Sequence, residues 1–305
     1  EVFLMDFYEQ SILPITFSSF NFKIGGILFR PYNRLKQIAR KEKKTKIWLS
    51  VFMKQVLMNL LMLKSKYISN LLILNDIETV NFLRSKFNYS FRFFPDPVPV
   101  NNASIKSVEY ENLRSKYSIS EKNKIFLVFG ALSDVKNIEN LVNACLLLDD
   151  DHFQKCSILI MGKGISGYEN YFDNLTVLKN KLLDKDPKFE FRIEYNFIDE
   201  IHHFSIFSQV DFVYLAYKNF YFSSATLSIA ANAMIPSIVP NFGPMANLSN
   251  EFNLGIVVNP DLVHDIKNSL VYCLENHERM KKSIKTIEFS KAFTKRNFAR
   301  AILSS

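Results

Sequence analysis

Cysteine is scarce in this chain, and the way it is spread rules out two common architectures. Cys145, Cys156 and Cys273 stand far apart, in segments that read as buried helix or strand, with no CxxC and no Cys/His ligand spacing. A disulfide framework and a structural zinc site are therefore not expected, and the thiols read as reduced core residues of a cytoplasmic protein. Histidine is equally quiet. His202 and His203 are adjacent and no HExxH pattern occurs, so no metal is expected. The chain also lacks any run of about 18 uninterrupted apolar residues. The nearest, Ile47 to Leu63, is broken by Lys54, Gln55 and Asn59, so a transmembrane span is not expected. Neither an initiator methionine nor a signal peptide precedes Val2-Phe3-Leu4-Met5, which already reads as a buried strand. The natural N-terminus is expected to lie upstream of Glu1.

What is present is enough for two domains. The chain has 305 residues, 48% hydrophobic and 22% charged, which is the composition of a folded globular protein. Its formal net charge of +8 is unevenly placed. From Arg30 to Lys66 there are eleven Lys or Arg against the single acid Glu42. This stretch admits three readings: a solvated charge run, a membrane-facing patch, or a nucleic-acid patch. The last lacks interleaved surface aromatics and any helix-turn-helix or RNA-binding motif, so no nucleic-acid partner is expected.

From about Lys124 onward, short β-rich runs alternate with helical patterns, the signature of a parallel sheet wound with helices. Ile125-Phe126-Leu127-Val128-Phe129 is a continuous apolar strand ending at Gly130, and Ile138, Leu141, Val142, Cys145 and Leu148 then recur at helical spacing. Further strands are predicted at Ser157 to Met161, Phe189 to Tyr195, Phe212 to Leu215, Ser237 to Val239 and Ile256 to Val258. The third of the six alternates apolar and charged residues, as a strand near a sheet edge does. Helices are predicted from about Tyr168 to Leu183, near Asp199, over Ser224 to Asn232, after Pro244 and from about Asp261 to Asn276. This is the content of one Rossmann-like domain.

Residues 1–105 are also α/β but have fewer strands: Val2 to Met5, Gly26 to Phe29, Leu71 to Leu74 and Phe91 to Phe94, with helices over Lys46 to Leu63 and Ile77 to Phe87. Pro95-Asp96-Pro97-Val98-Pro99-Val100 cannot continue a helix and suits an interdomain linker.

Three features carry a family resemblance. The first is the strand ending at Gly130, followed by a loop with Ser133 and Lys136 and then a helix. The second is Tyr221-Phe222-Ser223-Ser224-Ala225-Thr226-Leu227-Ser228-Ile229-Ala230, followed by Pro236-Ser237-Ile238-Val239. The third is Asn241-Phe242-Gly243-Pro244-Met245-Ala246, followed by Asn253-Leu254-Gly255-Ile256. Together they resemble the retaining GT-B glycosyltransferases. The resemblance implies two Rossmann-like domains facing across a cleft, the N-terminal one incomplete. It divides the chain into a partial acceptor-side domain (1–105), a donor-nucleotide domain (106–283) and a C-terminal crossover helix (284–305). The last segment reads equally as an ordinary terminal amphipathic helix.

The resemblance also assigns roles. Lys136 matches the family's diphosphate-gripping lysine, while Ala131 stands where the family has arginine. A fixed cation stabilises the charge that grows on a nucleoside diphosphate leaving group. Read alone, Lys136 is equally a solvated lysine. A helix starting at Ser223 or Ser224 turns backbone N–H groups of Ala225 and Thr226 toward a diphosphate, with the two hydroxyls adding donors. Gly162, Gly243 and Pro244 would line the donor pocket with backbone, Gly162 through a weak Gly162-Lys163-Gly164 signal. Tyr221 and Ile229 occupy the positions of the two family glutamates, so those roles do not carry over, and no catalytic base can be named.

The implied function is transfer of a sugar from a nucleotide-diphosphate donor to a glycan or lipid-linked acceptor, in polysaccharide biosynthesis. It is expected to be retaining and metal-independent, with no further cofactor, in the cytoplasm or at the inner face of the membrane. A non-catalytic binding or assembly module is the alternative, and a nucleotide-sugar epimerase a third.

Overall fold

The apolar runs assemble into two all-parallel sheets, one of four strands and one of six. The structure is a computed structural model and describes residues 2–4, 7, 12–17, 19, 21–43, 45–97, 110–165 and 171–303. Met5, Lys44, residues 98–100 of the proline-rich segment, the 105/106 boundary and the helix start expected near Tyr168 lie outside the described residues. Two units can be distinguished. One comprises Glu1–Val98, Asn219–Ser223 and Lys291–Ser305, the other Pro99–Lys218 and Ser224–Ser290.

In the first unit, β1 (Val2–Leu4), β2 (Ile24–Leu28), β3 (Ile68–Leu74) and β4 (Phe91–Phe94) lie side by side in chain order. The intervening helices are α1 (Ile12–Phe17), α2 (Tyr32–Glu42), α3 (Thr45–Met62) and α4 (Ile77–Phe87). Alternate residues of the strands serve opposite faces. Leu71 and Ile73 join Tyr32, Leu57, Met58, Leu61, Val80 and Leu83 in one cluster. Ile27, Leu72 and Phe94 meet Phe298, Ala301 and Ile302 in another. Because both faces are covered, the second half of β3, Leu71 to Leu74, reads as an unbroken apolar run.

Helix α2 was not predicted, because its polar and basic composition reads as a charge run. One of its arginines is not a surface charge at all. Arg34 is 3% exposed. Its guanidinium donates from Nε and Nη2 to the two oxygens of Asp76, each at 2.7 Å. Asp76 in turn caps α4 by accepting from the Thr79 N–H at 3.0 Å. The pair thus ties α2 to the head of α4.

The six strands of the second unit are β5 (Lys124–Phe129), β6 (Cys156–Met161), β7 (Glu190–Glu194), β8 (Phe212–Tyr214), β9 (Ser237–Pro240) and β10 (Gly255–Val258). Their order is β10-β9-β8-β5-β6-β7, so β7 is an edge strand, as its alternation predicts. Its helices are α5 (Leu113–Tyr117), α6 (Ile138–Leu146), α7 (Asp150–Gln154), α8 (Tyr171–Lys185), α9 (His203–Phe207), α10 (Ala225–Asn232), α11 (Gly243–Phe252), α12 (Val263–Ser283) and most of α13 (Thr286–Ala292), whose last two residues are counted with the first unit. The final helix, α14 (Lys295–Leu303), belongs to the first unit.

Phe126, Val128, Ile158 and Ile160 face α6, α8 and α12. On the other face, Phe129 packs edge-on against Phe207 of α9 at 5.1 Å. The helix expected to end near Asn276 instead runs on to Ser283, but Asn276 itself is non-helical (φ −122°, ψ 19°), so the chain kinks there. The three cysteines are free and buried in this unit. A hydrogen bond with Cys145 and burial hold the Cys156 thiol up, and burial raises that of Cys273, so neither is a nucleophile.

At the amino end of β5, Asp211 gathers Arg114 and Lys124, each at 3.0 Å, and His277 at 3.6 Å. Burial, then the Lys124 ammonium, push the His277 imidazole below its ordinary value, against the pull of Asp211 and Glu278. The folded state therefore binds this proton less readily than the unfolded chain, and acidification below about pH 6.5 costs stability. We expect the urea midpoint to fall between about pH 7.5 and about pH 5.5, and to fall less in His277→Gln. Equal slopes in parent and variant would remove His277 from the account.

Among the described residues, no helix is long and apolar enough to cross a membrane, and no group of three His, Cys, Asp or Glu is placed to hold a metal ion.

Candidate functional site

Strand order fixes where a ligand can sit in the second unit. From β5 the chain winds outward through β6 to β7, then returns to β8 and winds the other way through β9 to β10. The direction reverses between β5 and β8, and in open parallel sheets the crevice at the carboxyl ends of such neighbouring strands is the place where ligands bind. The loops that follow β5 and β8 meet there.

Gly130 opens the first loop with φ +97°. A side chain at this position would meet only the Lys136 ammonium, 3.6 Å from where its Cβ would stand, within 4 Å among the described residues. The space above Gly130 therefore has a cation on its wall. Ser133 is buried and leads a 3₁₀ turn, Asp134–Lys136, with no side-chain cap. Lys136 is not a solvated lysine, being 7% exposed. Its ammonium donates to the Phe129 carbonyl and the Tyr217 hydroxyl, both at 2.6 Å, and lies 4.4 Å from the Tyr217 ring centre. Among the described residues no carboxylate pairs with it. A buried, unneutralised ammonium is costly, and an anionic ligand would supply what the protein does not.

Asn137 locks the same corner. It takes the left-handed conformation at φ 56°. Its side-chain amide donates to the carbonyls of Ala216 (3.1 Å) and Pro260 (2.8 Å), while its own carbonyl accepts from the Tyr214 hydroxyl at 3.3 Å. One buried side chain thus joins the loops after β5, β8 and β10. Asn137→Ala should leave both carbonyls without this donor and lower stability by about 1–3 kcal/mol, read from urea unfolding.

The other expected residues distribute as follows. Gly162, at φ +153°, lies against the Gly130 carbonyl, and the two loops are zipped by the Leu132 N–H to the Lys163 carbonyl at 2.9 Å. Gly162 therefore shapes the loop that presents Lys136. Ser224, Ala225 and Thr226 form the head of α10, and Gly243 (φ 74°) and Pro244 the head of α11. Neither head has a side-chain cap or an acid in its first turn. By contrast α5 and α7 are capped by Asn112 and Asp149. Uncapped amides with no acid in the same turn suit an anion. Ser223 stands apart from these. It belongs to the first unit, where its hydroxyl accepts from the Asn75 amide at 2.8 Å. Tyr217 and Asn137 were missed by sequence reasoning, since both act through partners about 80 residues away.

No known family's sequence model and no curated protein matches this sequence. Solved structures do match in fold. The UDP-forming α,α-trehalose-phosphate synthase of Burkholderia xenovorans, solved with glucose-6-phosphate, superposes with a TM-score of 0.73 at 12% identity, covering 98% of this chain and 72% of the other. Sucrose-phosphate synthase of Thermosynechococcus elongatus gives 0.67 at 14%, covering 93% and 67%. HepE of Anabaena in complex with UDP gives 0.66 at 14%, covering 92% and 71%, and it has also been solved with UDP-glucose. The chain is thus an α/β protein with the two parallel Rossmann-like sheets of GT-B glycosyltransferase structures.

Proposed function

We propose that the protein transfers a sugar from a nucleoside-diphosphate donor, with retention and without a metal, to a glycan or lipid-linked acceptor. The second unit would hold the donor and the first the acceptor. The observation that carries this reading is the buried Lys136 ammonium, without a carboxylate partner among the described residues, facing the position over Gly130. Its place at the strand-order reversal, on the carboxyl edge that also starts α10, suits a diphosphate. Binding of UDP and UDP-glucose by HepE, similar in fold, supports a uridine nucleotide as the first donor to try. In this reading Lys136 and the amides of Ala225 and Thr226 would take up charge on the departing diphosphate.

A second reading rests on a specific departure. Tyr221 and Ile229 fill the two positions where the resemblance calls for glutamates, which suits a module that binds nucleotide sugar without turning it over. Incubation of the protein with UDP-, GDP- and ADP-sugars separates the two. Transfer or slow hydrolysis of one donor is expected of the enzyme. Binding without any turnover would leave the module, and binding of no nucleotide would remove both.

A further inference from the structure

Helix α3 is apolar on both sides, though only one side is buried. Val51, Leu57, Met58 and Leu61 face the core of the first unit. At 100° per residue, the opposite arc holds Trp48, Leu49, Phe52, Met53, Leu60 and, just beyond the helix, Leu63. These are exposed, Leu49 by 64%, Phe52 by 63% and Leu63 by 82%. A helix resting on a soluble core normally turns a polar face outward. This one exposes an apolar stripe that runs about 22 Å from Trp48 to Leu63, broken mainly by Asn59.

The stripe has a basic rim. The last turn of α2 carries exposed Arg40 and Lys41, exposed Lys43 caps it, Lys46 follows in the first turn of α3, and Lys66 is exposed just past its far end. The only acid between Arg30 and Lys66 is Glu42. Lysine flanking a Trp/Phe/Leu face is the composition of a helix that lies in the plane of a membrane interface, its rings among the acyl chains and its ammonium groups among the headgroups. A second copy of the chain fits less well, because a face-to-face pairing would bring the two basic rims together.

We propose that the outer face of α3 docks the protein on an anionic phospholipid surface, Trp48, Leu49 and Phe52 entering the interface and Lys43 and Lys46 contacting the headgroups. This goes beyond the sugar-transfer reading and does not depend on it, since the stripe lies wholly in the first unit. The chain supplies its own reporter, because Trp48 is its one tryptophan.

The test uses vesicles of phosphatidylcholine alone, or with about a third phosphatidylglycerol, and reads co-sedimentation together with Trp48 emission. Binding is expected to be at least about tenfold stronger to the anionic vesicles, with a blue shift of the emission. Phe52→Glu should abolish binding, and the double variant Lys43→Glu/Lys46→Glu should remove the preference for anionic lipid, both with unchanged circular dichroism. No binding to anionic vesicles overturns the proposal. Binding without a blue shift, or undiminished by Phe52→Glu, overturns it by pointing to another surface. A dimer in gel filtration that Phe52→Glu dissociates overturns it in favour of an interface between copies.

Discussion

Lys136→Met is expected to weaken UDP binding by about 10- to 100-fold, the loss of one charge-assisted contact to phosphate, while changing stability by less than about 1 kcal/mol. The two outcomes are linked. Without a carboxylate beside it among the described residues, the ammonium bears its desolvation cost with the Phe129 carbonyl and the Tyr217 hydroxyl in return. Methionine keeps most of the volume and removes that cost, offsetting the two lost hydrogen bonds. A lysine kept for ligand therefore shows little in an unfolding curve and much in a titration. A lysine kept for the fold does the reverse. If Lys136→Met loses several kcal/mol and binds UDP as tightly as the parent, Lys136 is a structural peg and the donor-site assignment fails.

The second large effect is on the fold. Gly162→Ala would place a Cβ 1.8 Å from the Gly130 carbonyl oxygen, on a backbone with φ +153° that L-residues rarely adopt. The neighbour in the way is main chain, in a loop fixed by the Gly130 N–H to the Met161 carbonyl and the Leu132 N–H to the Lys163 carbonyl, both at 2.9 Å. It cannot move aside as a side-chain tip would. The cost should be at least about 2 kcal/mol, a fall in Tm of several degrees. Because the displaced loop is the one that carries Lys136, UDP affinity should fall as well. A variant that melts with the parent would mean that these loops are not packed as described.

The strands were legible wherever burial on both faces made them continuous, as in β5 and β6, or wherever one-sided exposure made them alternate, as in β7. The same logic hid α2. Its buried residues are Tyr32, Arg34 and Ala39, and an arginine inside a basic run gives no hint that Asp76, 42 residues on, will bury it. In α3 the apolar residues identified the helix, but uniform hydrophobicity could not say which side is core. The terminal segment read as one helix because its apolar spacing continues, whereas Thr294 restarts it by accepting from the Asn297 N–H at 3.0 Å.

At the candidate site, Gly130 and Lys136 were legible because their spacing is local, seven positions or fewer, and tied to a strand end. Asn137 and Tyr217 were not, since their partners are chosen by the order of strands in the sheet. Ser223 and Ser224 are adjacent in sequence, yet fall in different units.

The central claim is that a diphosphate is recognised at the carboxyl edge of the second sheet. It is tested most directly by saturation-transfer NMR titrations of the parent protein with UDP and with uridine. UDP should bind at least about tenfold more tightly than the nucleoside, with most of that margin lost in Lys136→Met. Equal affinity for the two, or a margin that survives the substitution, would contradict it.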